Sequence, residues 1–449
     1  MKYSKYNIRF SIDDNIVLFN SLTTSFLVLD TVLNELLDTH KDCCTKIRDI
    51  HPDFYDTMVQ QGFIIEATID ENQAAEKMLF SYINNHETYH LTINPTMDCN
   101  FKCWYCYENH HKGSMMSHEI LNRTFLLIDK IAGNENLKRF HIYFFGGEPF
   151  LYYDSIVKSV LDRFSLVCEN KLFDKTIQFT TNGILINDRI LEELVRYGVS
   201  SFQITLDGHK KTHNKSRFSA THRDSYTPIV NNIRRIINRG LHVTLRINYT
   251  RHNISEISKI VDEFSDLSAV EKSLILFTPT RVWQDNPYKC ITKRLDEIIV
   301  DTEQERTVKY YEDELTTKII SMGFKYFAVY MSDYVRHTCR CNLVNSAHIN
   351  YDGSVYKCAA RKFAPENVEG ELFADGTIGW NERSKIRFGS RLNNAPCREC
   401  VIFPMCGGGC SQMLYEYGNI AYCMYKYDEY SKIDFIKEYL LQEDFLLPL

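Results

Sequence analysis

Residues 99–106 read CNFKCWYC. The run sets three cysteines, Cys99, Cys103 and Cys106, in one short loop at C-x3-C-x2-C spacing. Thiolates are soft ligands suited to zinc or to iron–sulfur clusters. Zinc is commonly held by C-x2-C pairs, and three cysteines with no second pair close by fit it poorly. A [4Fe–4S] cluster on three protein ligands keeps one iron open to a substrate or cofactor, unlike the closed four-cysteine sites of electron carriers.

Outward from the loop, the pattern is strand, loop, helix. The cysteines follow the strand-like YHLTINPT (89–96), and further apolar or β-branched runs occur at 140–150, 175–185, 200–208, 242–250 and 273–281. Helical periodicity fills the intervals, as in ILNRTFLLIDKIAG (120–133), DRILEELVRYG (188–198) and YTPIVNNIRRIINRG (226–240). Six strands alternating with helices predict an α/β fold with a parallel sheet, whose functional residues lie at the C-terminal strand ends.

Chemistry-bearing residues fall at those ends. The second strand closes in Gly146, Gly147, Glu148 and Pro149; glycines allow close backbone approach, and a carboxylate can pair with an ammonium group. The third ends in Thr180, Thr181, Asn182 and Gly183, and the fourth in Leu206, Asp207 and Gly208 followed by HKKTHNKSR (209–217). On the fifth, Arg246 and Asn248 share one face of the sheet.

The cysteine loop, the GGEP run and the LDG…H…R stretch together resemble the radical S-adenosylmethionine (SAM) enzymes, over about residues 85–330. The resemblance implies a partial (β/α)6 TIM-like barrel. Cys99, Cys103 and Cys106 would hold a [4Fe–4S] cluster whose open iron chelates SAM and reduces it to a 5′-deoxyadenosyl radical. It places Tyr105 beside adenine and gives the Gly146–Pro149 motif the methionine amino group. Asn182, Arg217 and Arg246 become further SAM contacts, with Arg217 facing the carboxylate. No catalytic acid or base is assigned.

A second group of cysteines lies downstream. Cys341 is followed by Gly353 and Cys358, then by Cys397, Cys400, Cys406 and Cys410 in C-x2-C-x5-C-x3-C order, then by Cys423. This resembles the seven-cysteine SPASM domain, which carries two auxiliary [4Fe–4S] clusters. Carried over, Cys341, Cys358 and Cys410 hold the first, with Cys339 as the natural fourth ligand, and Cys397, Cys400, Cys406 and Cys423 hold the second. A zinc-ribbon-like domain is the alternative. Sulfatase-maturing members of the family carry an Asp base after the cysteine matching Cys358; here Ala359 stands there, which weighs against formylglycine formation. Cys43, Cys44, Cys168 and Cys290 sit outside any ligand spacing and read as structural thiols.

The N-terminal residues 1–75 read as a small module. NIRFSI and NIVLFN are strand-like, SFLVLDTVLNELLDTH (25–40) and DFYDTMVQQ (53–61) carry helical spacing, and FIIEATI (63–69) is strand-like. This pattern resembles the winged helix-turn-helix leader-binding domain (RiPP recognition element) of peptide-modifying enzymes, in which a leader peptide adds a strand to a sheet edge. An N-terminal cap without a ligand is the alternative. The closing stretch YDEYSKIDFIKEYLLQEDFLLPL (427–449) reads as a helix. The expected order is therefore a leader-binding module (1–75), a barrel (85–335), a SPASM domain (336–435) and a C-terminal tail (436–449).

The chain has 449 residues, enough for several domains, and a net charge of −6, which argues against a nucleic-acid partner. Fifteen cysteines without a signal peptide or membrane-spanning run point to a reducing, cytoplasmic setting where thiols bind metal. The expected function is a radical SAM oxidoreductase that installs a thioether or carbon–carbon cross-link in a ribosomally made precursor peptide. Its partners would be that peptide, through its leader, and a flavodoxin- or ferredoxin-type donor. A peptide epimerase, a side-chain oxidase of the sulfatase-maturase kind and a non-catalytic cluster-bearing peptide-binding protein are the alternatives. The peptide, the bond formed and the oligomeric state are not legible in the sequence.

Overall fold

The computed structural model describes all residues except 13, 170, 220, 222, 283–301, 327–338, 417–422, 424–427 and 443–449. Cys290, the expected boundary at 335/336 and the last residues of the expected tail lie outside the described residues. The described residues form two compact units: residues 1–85, 339–344 and 385–442 in one, and residues 86–326 and 345–384 in the other.

In the first unit, β1 (Lys2–Tyr3) is followed by an antiparallel sheet of β2 (Asn7–Ile12), β3 (Asn15–Asn20) and β4 (Phe26–Leu29) in that order. Next come α1 (Thr31–His40), α2 (Cys44–Ile50) and α3 (Pro52–Gln60), then β5 (Ile64–Ile65), which pairs with β1. The expected helix over 25–40 is corrected: Phe26–Leu29 pairs with β3, and the helix starts after Asp30, whose carboxylate caps it by accepting from Leu33 N. α4 (Glu71–Ile83) follows.

The same unit contains the cysteine-rich C-terminal residues. Tyr6, Ala75, Leu79 and Phe403 form one buried cluster, and Ser21 Oγ bonds to the Val401 carbonyl. The expected tail is the second half of a helix at Glu429–Gln442 that buries Phe435, Ile436 and Leu440 and sets Tyr439 edge-on to Phe19.

The second unit holds the sheet the sequence predicts. β6 (Thr88–Ile93), β7 (Arg139–Phe144), β8 (Asp174–Thr181), β9 (Ser201–Leu206), β10 (His242–Tyr249) and β11 (Ile275–Arg281) lie side by side in chain order, all parallel. Helices cross between them, among them α5 (His118–Ala132), α6 (Lys158–Cys168), α7 (Asp188–Tyr197), α8 (Lys210–Ser216) and α9 (Tyr226–Ile237). β12 (Lys325–Tyr326) extends one edge. The other edge is extended by β13 (Ser346–Ile349), parallel to β6, and by β14 (Ser354–Tyr356), β15 (Gly370–Leu372) and β16 (Ile378–Trp380), all antiparallel. The segment 336–435, expected as one domain, is thus divided between the units.

Alternation along the strands decides which face does chemistry. Leu91, Ile93, Phe140, Ile142, Phe144, Phe179, Phe202, Leu245 and Ile247 enter one apolar core. The intervening positions are polar and stand in register across strands: His90 opposite His141, His141 opposite Thr176, Thr180 opposite Gln203, and Thr205 beside Arg246. Among the described residues no helix is long and apolar enough to cross a membrane.

Candidate functional site

The connection leaving β6 carries the three cysteines and is closed on itself. His111 N donates to the Met97 carbonyl (3.0 Å), Met116 N to Pro95 (2.9 Å), and Gly113 N to Asp98 Oδ2 (2.7 Å). Lys102 N donates to the Phe218 carbonyl (2.9 Å), tying the loop to the stretch after Arg217. Cys99, Cys103 and Cys106 all line one cleft at the C-terminal strand ends. Burial pushes all three thiols up, so bare thiolates are disfavoured there. A cationic iron core is the kind of partner that reverses this, and three thiols in one half-buried loop fit it.

Gly146 and Gly147 line the same cleft, in left-handed conformations with φ of 75° and 49°. A Cβ on Gly146 would lie 2.3 Å from Asn94 Cγ, and one on Gly147 would lie 2.1 Å from the Asp98 carbonyl oxygen. Only glycine lets this turn press against the cysteine loop, where Glu148 N donates to that same carbonyl (2.8 Å).

Glu148 and Pro149 stand behind the cleft wall and do not line it. Glu148 is fully buried. Its Oε1 accepts from Thr181 Oγ1 (2.8 Å) and Phe150 N (3.1 Å), and its Oε2 from Asn182 N (2.7 Å). The carboxylate therefore bolts the end of β7 to the end of β8. Glu148→Gln sets an NH2 group against one of these donors. It is expected to lower stability by about 1–3 kcal/mol, read from denaturant midpoints.

Opposite the glycine turn is a buried polar chain. Arg217 Nη1 donates to Tyr105 Oη (2.8 Å), and Tyr105 Oη donates to Asp207 Oδ1 (2.9 Å). Burial pushes Asp207 up to about 6 against the pull of Arg217. Arg217 Nε and Asp207 Oδ2 are buried without a partner among the described residues, so the site has capacity left for a ligand. Arg246 and Asn248 both line the cleft, with Arg246 Nε donating to Asn248 Oδ1 (2.9 Å). Asn182 reaches it too and donates through Nδ2 to Asn100 Oδ1 (2.7 Å).

The sequence reading overlooked Glu108. It lines the cleft, accepts from Gly147 N (2.8 Å) and is pushed up to about 7 by burial. Its only sequence signal was position, two residues past Cys106. Cys106, Glu108 and His110 also bring ligand atoms within 4.8 Å of one another, a grouping that shares Cys106 with the three-thiol set.

The downstream cysteines fall in both units. Cys397, Cys400, Cys406 and Cys423 act electrostatically on one another in the first. Cys339 and Cys341 lie there with their sulfurs 3.3 Å apart, and Cys341 Sγ is 3.7 Å from Ser411 Oγ, next to Cys410. Cys358 is in the second unit, beside Ala359, whose carbonyl accepts from Tyr107 Oη (2.8 Å). Cys44 and Cys168 are buried and Cys43 exposed, outside these groups.

A model of the Radical SAM superfamily matches residues 93–264. Radical SAM cyclopropyl synthase TigE of Paramaledivibacter caminithermalis is 24% identical over 406 residues, 84% of this chain and 79% of that protein. The cysteine-type anaerobic sulfatase-maturating enzyme of Clostridium novyi is 24% identical over 342 residues, 71% and 87% of the two chains. The crystal structure of Streptococcus suis SuiB bound to precursor peptide SuiA shares the fold with a TM-score of 0.52 at 16% identity, over 92% of this chain and 96% of that one.

Proposed function

We propose, from the match of residues 93–264 to a model of the Radical SAM superfamily, that the protein forms a carbon–carbon or thioether bond within a ribosomally made precursor peptide. The observation that carries this reading is the single cleft collecting three cysteine thiols, a left-handed glycine pair, Arg217 and Arg246. Cys99, Cys103 and Cys106 hold the cluster. The chemistry such a cluster and SAM would supply there is hydrogen abstraction from the peptide by a 5′-deoxyadenosyl radical. Tyr105 flanks the adenine, and Arg217, with Nε to spare, receives the SAM carboxylate. The glycine turn admits the amino end, and Glu108 adds negative charge beside it. Glu148 acts one layer back, by fixing the strand ends.

Cys397, Cys400, Cys406 and Cys423, all in the first unit, are assigned to an auxiliary cluster, as the resemblance to the SPASM domain implies. The antiparallel sheet of β2, β3 and β4 followed by three helices is the proposed leader-binding module, its edge strands β2 and β4 open to an added strand. A flavodoxin- or ferredoxin-type donor in the cytoplasm completes the system. Similarity to TigE over most of the chain favours bond formation. Similarity to the sulfatase-maturating enzyme favours side-chain oxidation as a second reading, against which Ala359 counts.

The test is anaerobic co-expression with the small peptide encoded beside the gene. A loss of about two mass units per modified site, with no new carbonyl and no effect on a leaderless peptide, is the expected result. Unchanged mass with solvent deuterium incorporated would replace it with epimerisation, and a new aldehyde would replace it with oxidation.

A further inference from the structure

Two arginines are almost fully buried in the first unit, Arg387 at 1% and Arg391 at 2% exposure. Arg387 is well supplied: Nη1 donates to Ser411 Oγ (2.9 Å) and Nη2 to Gln412 Oε1 (2.5 Å). Arg391 differs. Its Nη2 donates to the Cys406 carbonyl (2.5 Å), while Nε and Nη1 are buried with no partner among the described residues. Nor does a carboxylate pair with it among them. A guanidinium so placed is costly unless an anion faces it.

The surroundings indicate the anion. Arg391 acts electrostatically on Cys397 and Cys406. Three consecutive glycines after Cys406, with φ of 65°, 93° and 81°, wrap the chain around the arginine. A Cβ on Gly407 would lie 2.9 Å from Arg391 Nη2, and one on Gly408 would lie 2.3 Å from the Arg391 carbonyl oxygen. The Gly408 and Gly409 amides hydrogen-bond Cys406. Lys432 also acts on Cys400 and Cys423, but it is paired with Glu429. Four thiolates outweigh the charge of a cubane core, so a cluster on these cysteines is an anion, and nearby charge and hydrogen bonds set its potential.

We propose that Arg391 is the buried countercharge of an iron–sulfur cluster on Cys397, Cys400, Cys406 and Cys423, and that it holds the reduction potential of that cluster up. The inference rests on the auxiliary-cluster reading above. Arg391 is a positioning and tuning residue, remote from the SAM cleft residues in sequence and needing no contact with substrate.

The experiment is an iron count and an EPR-monitored redox titration of the anaerobically reconstituted full chain, as wild type, Arg391→Met, Arg391→Lys and Cys400→Ala. Arg391→Met is expected to disfavour one-electron reduction of one cluster about tenfold, a downward shift of about 59 mV, leaving the other clusters unmoved. Arg391→Lys keeps the charge and should keep the wild-type potential. Full iron with an unshifted potential in Arg391→Met overturns the proposal. So does a shift in Arg391→Lys as large as that in Arg391→Met, because the fork geometry would then be the cause. If Arg391→Met does not fold, Arg391→Lys decides alone: wild-type potential supports the countercharge, and a lowered one overturns it. Cys400→Ala separates the two levels, since full wild-type iron and signals in that variant would remove the cluster reading itself.

Discussion

Replacing Cys99, Cys103 and Cys106 together by alanine is expected to abolish 5′-deoxyadenosine formation, by at least about a thousandfold, or about 4 kcal/mol of lost transition-state stabilisation. The three thiols share one cleft and one loop, and removing them leaves no cysteine among the described residues that line the cleft to hold an iron cluster. The loop itself should survive. Its closure relies on backbone bonds such as His111 N to Met97 and Met116 N to Pro95, and on the Asp98 carboxylate, none of which involves a cysteine side chain. The variant should therefore fold with near-wild-type circular dichroism and lose about four irons per chain. Chromatographic detection of 5′-deoxyadenosine under reducing, anaerobic conditions checks it. Retained product would sink the assignment of this loop.

Gly147→Ala carries the second large effect, expected at about 3–5 kcal/mol of stability together with loss of SAM binding. Two costs combine. An alanine at φ 49° pays the left-handed penalty of about 1–2 kcal/mol. Its Cβ would also lie 2.1 Å from the Asp98 carbonyl oxygen and 2.8 Å from the Asp98 carbonyl carbon, which are backbone and cannot rotate aside. The cysteine loop must move or the turn must open, and either separates the glycine pair from the thiols. Gly113→Ala is the matched control: φ is 75°, but nothing lies within 4 Å of the added carbon, so only the conformational penalty of about 1–2 kcal/mol applies. Thermal unfolding of the two variants side by side, with calorimetric SAM titration, reads the difference. Equal stability of the two would mean that close backbone approach is not what this glycine provides.

The strands of the parallel sheet were legible because each is a short apolar or β-branched run, and from β6 to β10 an amphipathic helix of ten or more residues separates each from the next. Phe26–Leu29 was not. It abuts α1 without a loop, so its apolar residues merge with the helical ones, and only pairing with β3 and the Asp30 cap mark the change. β13–β16 escaped notice because three- and four-residue strands carry too little period to read; long-range pairing with β6 makes β13, and successive antiparallel pairing onto it makes β14, β15 and β16. The C-terminal helix was legible from its own residues, but its buried partners were not, because Phe19, which Tyr439 meets edge-on, lies over 400 residues away in sequence.

The sequence by itself determined the ladder of parallel strands and the gathering of three thiols in one loop, because cysteine spacing and helical or strand periodicity are local properties of residue type. Tertiary structure decided which of those residues face a ligand. Glu148, expected at the amino group, is spent on Thr181, Asn182 and Phe150 behind the wall, while Glu108 faces the cleft. It also decided that Arg391 is buried beside Cys406 with no carboxylate partner among the described residues. Hydrogen-bond satisfaction and the burial of charge depend on neighbours that only folding brings together, and no local pattern encodes them.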